Sequence, residues 1–158
     1  MILPLLFVLT AQTTPTPPMP KGTGLPPPTA DEAAVLAPID AIFAGFETGD
    51  AAAVMAHVYP DGRVSAPGKG EGGTLRTQSW TQFVASRVTP ATKFEERITT
   101  PAIEIDGDVA MVWARFTVRA DGKLANCGYD HFDLIRESGR WKVMNLTFSS
   151  NMAACEAQ

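Results

Sequence analysis

From Val109 to Phe148 apolar and polar residues alternate with a period of two, interrupted at Asp121-Gly122 and Ser138-Gly139. This period predicts β-strands, and from Phe94 onward it predicts four of them, turning at 106–108, 120–122 and 137–139. Alternation sorts the side chains into two faces. One carries Ala110, Val112, Ala114, Phe116 and Val118, then Asp130, Phe132 and Leu134, then Met144, Leu146 and Phe148. The other carries Met111, Trp113, Arg115, Thr117 and Arg119, then Tyr129, His131 and Asp133, then Val143, Asn145 and Thr147. The first set is apolar except for Asp130, so it is expected to face a core. A charge turned toward a core is costly unless it is partnered or kept protonated, which makes Asp130 the leading candidate site residue.

Upstream the period changes to that of helices. Thr29-Ala30-Asp31-Glu32 fits a capping box, followed by Val35, Leu36, Ile39, Ile42, Phe43 and Phe46 as one apolar stripe. Pro38 lies inside that stripe and predicts a kink or break. Gly49 is a natural stop, and Asp50 a natural N-cap for a shorter helix to about Val58. Residues 62–67 suggest a brief strand. Ser79 and Gln82 form a second capping box, opening a helix that carries Trp80, Phe83, Val84 and Val88. Three helices followed by four antiparallel strands define an α+β domain.

Composition adds a leader. Met1–Ala11 is a short apolar run of signal-peptide length, and residues 1–28 hold eight of the thirteen prolines with Lys21 their only charge. The expected organisation is a signal peptide at 1–11, a proline-rich linker at 12–28 and one domain at 29–158. The expected localisation is therefore exported, periplasmic or secreted. In that setting the two cysteines, Cys127 and Cys155, are expected to form a disulfide. A formal charge of −4 and scattered Lys and Arg give no footprint for nucleic acid. No apolar stretch approaches the roughly 20 residues of a membrane helix, so no membrane association is expected beyond the export signal.

Other motifs carry less. Gly68, Gly70 and Gly73 match G-x-G-x-x-G, but hairpins rather than a βαβ unit follow, which excludes a dinucleotide site. His57 and His131 stand apart with no cysteine pair at ligand spacing, so no metal and no cofactor is expected. His57 reads as a residue favoured at a helix C-terminus, and Asn145-Leu146-Thr147 as a structural mid-strand match to a glycosylation acceptor.

The helix-helix-strand-helix order, the Gly49-Asp50 step and the long hairpins resemble the nuclear-transport-factor-2-like superfamily over about residues 30–150. That group includes ketosteroid isomerases and SnoaL-like polyketide cyclases. The closing Gly139-Arg140-Trp141-Lys142-Val143 is most similar to the branch labelled lumazine-binding. The resemblance implies a cone-shaped fold, three N-terminal helices packed against a strongly curved antiparallel sheet. It also aligns Tyr129-Asp130-His131-Phe132 with the isomerase segment whose acid hydrogen-bonds the substrate oxyanion, protonated in apolar surroundings. The isomerase base then falls on Ala66 and its tyrosine on about Ile42, neither of which transfers a proton. Isomerase chemistry is therefore not expected.

Three functions remain open from the sequence. The first is an exported binding domain for a small hydrophobic or ring-containing ligand, with Asp130 as acidic anchor. Its expected pocket residues are Asp130, Phe132, Phe116, Phe148, Met144, Phe83, Trp80 and Tyr59, with Trp80 and Phe83 as readily core as pocket. The second is a cyclase- or hydratase-type enzyme using Asp130 as acid/base, assisted by His57 or Tyr59. The third is a structural module that dimerises through the outer sheet face at Trp113, Arg115, Tyr129 and His131.

Overall fold

The computed structural model describes residues 29–68, 73–89 and 91–155. The expected signal segment 1–11, linker 12–28 and glycine-loop residues 69–72 lie outside the described residues. Helix α1 spans Ala30–Thr48, α2 Ala51–Met55 and α3 Trp80–Arg87. Strands are β1 Arg63–Ala66, β2 Arg76–Ser79, β3 Phe94–Asp106, β4 Val109–Ala120, β5 Lys123–Glu137 and β6 Arg140–Phe148, followed by the short α4 Met152–Cys155.

Local chemistry sets the helix ends. Thr29 and Glu32 close a reciprocal capping box on α1, and Ser79 and Gln82 do the same on α3. Gly49 ends α1 in the left-handed region at φ 70°, and the Asp50 side chain accepts from the Ala53 N–H. One helical expectation is narrowed and one is corrected. Pro38 neither breaks nor shortens α1, which runs unbroken through it. Its missing N–H would have bonded the carbonyl of Ala34, which sits on the exposed side of the helix where water can replace it, while the Pro38 ring is buried. Helix α2 stops at Met55 rather than near Val58, because the His57–Tyr59 backbone turns away to pair with Val143.

The strands form one curved sheet in the order β2-β1-β6-β5-β4-β3. Neighbours are antiparallel except β1 and β6, which run parallel. Strand β2, with sequence Arg-Thr-Gln-Ser, was not among the expected strands. It is a polar edge strand held by β1 on one side only, so it has no apolar alternation to betray it. The concave face packs on the helices, burying Val35, Ile39, Ile42, Trp80, Phe132 and Leu134 completely.

Face assignment in β4 and β5 follows the expected parity: Ala110, Val112, Ala114 and Phe116 are buried, as are Asp130, Phe132 and Leu134. In β6 it reverses. Val143, expected outside, is fully buried, and Met144, expected inside, is only half-buried. The cause is a bulge: Leu134 pairs with Val143 but Asp133 pairs with Asn145, leaving Met144 as the extra residue. One inserted residue flips the parity on either side of it. The bulged Met144 carbonyl accepts a hydrogen bond from Trp80 Nε1 at 3.0 Å. Gly62 is needed beside it, since a Cβ there would stand 1.8 Å from the same oxygen.

Candidate functional site

Beyond the packed core the cone opens into a cavity of about 400 Å³ between α3, the β1–β2 hairpin and the ends of β3 to β6. Its walls are mostly apolar, with Phe46, Phe83, Phe94, Phe116 and Phe148 as the aromatic part. Phe116 and Phe148 meet edge-to-face, their ring centroids 6.3 Å apart at 90°. Ala66 forms part of the β1 wall and is buried. A larger side chain there would project into the cavity, so the small residue adds room as well as lacking a base.

The wall holds one buried acid, Glu96, which is 9% exposed. Glu96 pairs with Val118 across β3 and β4 and shares its strand face with Phe94 and Ile98. Behind the wall lies Asp130, 1% exposed, opposite Phe148 in the β5–β6 ladder and opposite Ala114 in the β4–β5 ladder. Neither Asp130 oxygen has a hydrogen-bond partner among the described residues. Backbone N–H groups therefore do not satisfy the Asp130 carboxyl. Its interacting neighbour is the Glu96 carboxyl.

Two carboxyls that interact in an apolar setting cannot both ionise cheaply. Burial, then the charge of Glu96, then a proton shared with Glu96 hold the Asp130 carboxyl well above the ordinary range. Burial likewise raises Glu96, to about 7, partly offset by hydrogen bonding from Asp130. With no other donor in reach among the described residues, the hydrogen bond open to the buried Asp130 carboxyl is the proton it shares with Glu96. The site therefore presents a protonated Asp130 behind a Glu96 that gains and loses its proton near neutral pH.

The expected pocket residues separate into three groups. Phe83, Phe116 and Phe148 line the cavity. Asp130 is inward but reaches the cavity only through Glu96, and Phe132 and Trp80 are fully buried core. Met144 and Tyr59 are elsewhere: the bulge displaces Met144, and Tyr59 lies beside α2 beneath the Lys142 ammonium, 5.7 Å from its ring. His57 is at that same end, its carbonyl accepting from Val143 N–H, and takes no part in the cavity. Ile42 is fully buried in α1. Glu96 is the residue sequence reasoning missed.

Cys127 and Cys155 form the expected disulfide, with Cα atoms 5.8 Å apart. The bridge ties the segment after β6 to β5, where Asn151 N–H also donates to the Cys127 carbonyl at 2.8 Å. That segment supplies Ser150 and Met152 to the cavity wall. A disulfide is compatible with an oxidising compartment. On the convex face, Trp113 and Tyr129 stack at 5.2 Å and 18°, with His131 tilted 6.1 Å from Trp113. Asn145 there accepts from Arg63 N–H and donates to Asp133, a structural role that takes up its side chain. No helix is long and apolar enough to cross a membrane, and no group of potential ligands gathers as a metal site, among the described residues.

A three-helix cone wrapped by a curved sheet, with a cavity at its open end, is the architecture of the nuclear-transport-factor-2-like proteins with a cystatin-like fold. The chain belongs to the family described as "Putative lumazine-binding", whose model matches residues 30–149. Among solved structures it is similar to a nuclear-transport-factor-2-like protein of Cytophaga hutchinsonii, at 13% identity and TM-score 0.65 over 78% of this chain and 100% of that one. A Nostoc punctiforme protein of unknown function with a cystatin-like fold matches at 11% identity and TM-score 0.62, over 79% and 95%. A Streptomyces avermitilis protein described as a putative dehydratase of the same fold family matches at 18% identity and TM-score 0.61, over 77% and 96%. At these identities the likeness is one of fold. No curated protein matches the chain by sequence.

Proposed function

We propose that this is an exported small-molecule-binding domain whose ligand occupies the aromatic cavity and turns an uncharged end toward the Glu96–Asp130 acid pair. The observation that carries the reading is the pairing of a fully buried carboxyl, to which no backbone N–H or neutral donor among the described residues bonds, with a second acid in the wall of a roomy apolar cavity. A domain whose only concern was stability would gain by replacing such a pair with hydrocarbon. The family description, which names a fused-ring heterocycle, fits a flat ligand between Phe116, Phe148 and Phe83. The disulfide and the apolar Met1–Ala11 run support export.

The test uses the neutral fluorophore N-phenyl-1-naphthylamine. It should bind the wild type with an emission blue shift and lose binding in Ala66→Trp and Val118→Trp, which fill the cavity from β1 and β4. Val118 is only half-buried, so its variant keeps the test valid should Ala66→Trp fail to fold. Unchanged binding in a folded filling variant would refute the site.

Glu96 also favours a second reading, an acid/base enzyme of the cyclase or hydratase kind. A group titrating near 7 and facing the cavity has the protonation behaviour a general base needs, with Asp130 tuning it. The dehydratase description of the Streptomyces neighbour is in keeping with this chemistry.

The partner proposed for the convex face is a second copy of the chain. Trp113 is 45% and Tyr129 44% exposed, large apolar areas that a symmetric sheet-to-sheet contact would cover. Trp113→Glu is expected to convert a dimer into a monomer in light-scattering chromatography. A monomeric wild type would dispose of the proposal.

A further inference from the structure

The charged groups of the cavity are unevenly placed. The buried acid Glu96 is part of its wall, while Arg76 of β2 and Arg87 in the last turn of α3 stand exposed around the same cavity. In a chain with 13 Lys and Arg against 17 Asp and Glu, two guanidiniums and one carboxyl reverse the overall charge balance locally. Neither arginine forms an ion pair with an acid among the described residues, whereas Arg97 and Arg136 pair with Glu47 and Asp108. Among the described residues their forks are thus left to an anion presented at the cavity mouth.

Building on the binding reading above, we infer that the ligand is a hydrophobic oxyanion. It has an apolar ring or chain held by the phenylalanines, and a carboxylate, sulfonate or phosphate held outside by Arg76 and Arg87. Guanidinium matches such groups through two parallel N–H donors, a geometry an ammonium cannot reproduce. The arrangement also fixes direction. An anionic head cannot enter toward Glu96 without repulsion or forced protonation of that acid, so the uncharged end goes in first.

Two fluorophores with one skeleton separate this from the general reading. N-Phenyl-1-naphthylamine and 1-anilinonaphthalene-8-sulfonate differ by the sulfonate alone. At low ionic strength the sulfonate probe should bind the wild type about tenfold more tightly, corresponding to roughly 1.4 kcal/mol. The double variant Arg76→Gln/Arg87→Gln should lose that advantage while binding the neutral probe as before, and added salt should do the same to the wild type. Val118→Trp should abolish both, which excludes the convex-face aromatics as the source of the signal. Equal affinity for the two probes, or an arginine variant that weakens both alike, would overturn the oxyanion inference and leave the cavity reading intact. Failure of both probes to bind the wild type would overturn the two together.

Discussion

Trp80→Ala is expected to lower the unfolding free energy by about 5 kcal/mol, much of what a domain this size possesses. Three losses combine. The indole is fully buried where α3 meets the sheet, so truncation removes a large apolar area and leaves a void. Its ring also packs edge-to-face on Phe83 at 5.9 Å and 87°, and Phe83 is part of the cavity wall. Last, the Met144 carbonyl loses the Nε1 donor that satisfies it at the β6 bulge. Trp80→Phe separates the contributions, keeping most of the ring while removing the donor, and should cost about 2 kcal/mol. Urea denaturation of the two variants measures both. A Trp80→Ala cost below about 1 kcal/mol would mean that the bulge and α3 are not coupled in this way.

Cys127→Ala/Cys155→Ala is expected to cost roughly 3–4 kcal/mol, the chain-entropy value for a bridge of this sequence separation, 28 residues. The loss also has a place. The bridge pins the segment that contributes Ser150 and Met152 to the cavity, so the double variant should bind a cavity probe more weakly than its stability alone accounts for. Reduction of the wild type should reproduce both effects in thermal unfolding and probe titration. A reduced protein as stable as the oxidised one would remove the bridge from the account.

How much of this was legible beforehand depends on the residue. Strict alternation placed Asp130 inside with Phe132 and Leu134, and the structure buries all three. The same signal was present at Phe94-Glu95-Glu96-Arg97-Ile98, where Glu96 stands in line with Phe94 and Ile98. It was masked because the neighbouring Glu95 and Arg97 make the segment read as uniformly polar. Met144 was misplaced because a bulge leaves no mark in composition, and without coordinates the parity of β6 could only be counted straight through it. Strand β2 escaped notice because pairing with β1, not hydrophobic pattern, defines it. Trp80 carried a helical apolar signature that fits core and pocket wall equally, and only its complete burial under the sheet decides between them. The caps at Thr29, Asp50 and Ser79 were readable because capping is local chemistry.

The coupled acids also make folding pH-dependent. Both have folded-state pKa values raised above their unfolded ones, so the native protein holds more protons. The pair's contribution to stability is then greatest at low pH and falls as pH rises, from about 4.5 through about 7 for Glu96, with the raised Asp130 adding to the same decline. Asp130→Asn removes one of the two titrations and should flatten that decline in urea denaturation across a pH series.

Carboxyl-carbon NMR of the native protein across a pH series reads the pair directly. The account predicts a Glu96 midpoint near 7 and an Asp130 midpoint well above the ordinary carboxylate range. If both resonances instead titrate at about 4, as exposed carboxyls do, the pair is hydrated and independent, and the acidic end of the proposed ligand site does not exist.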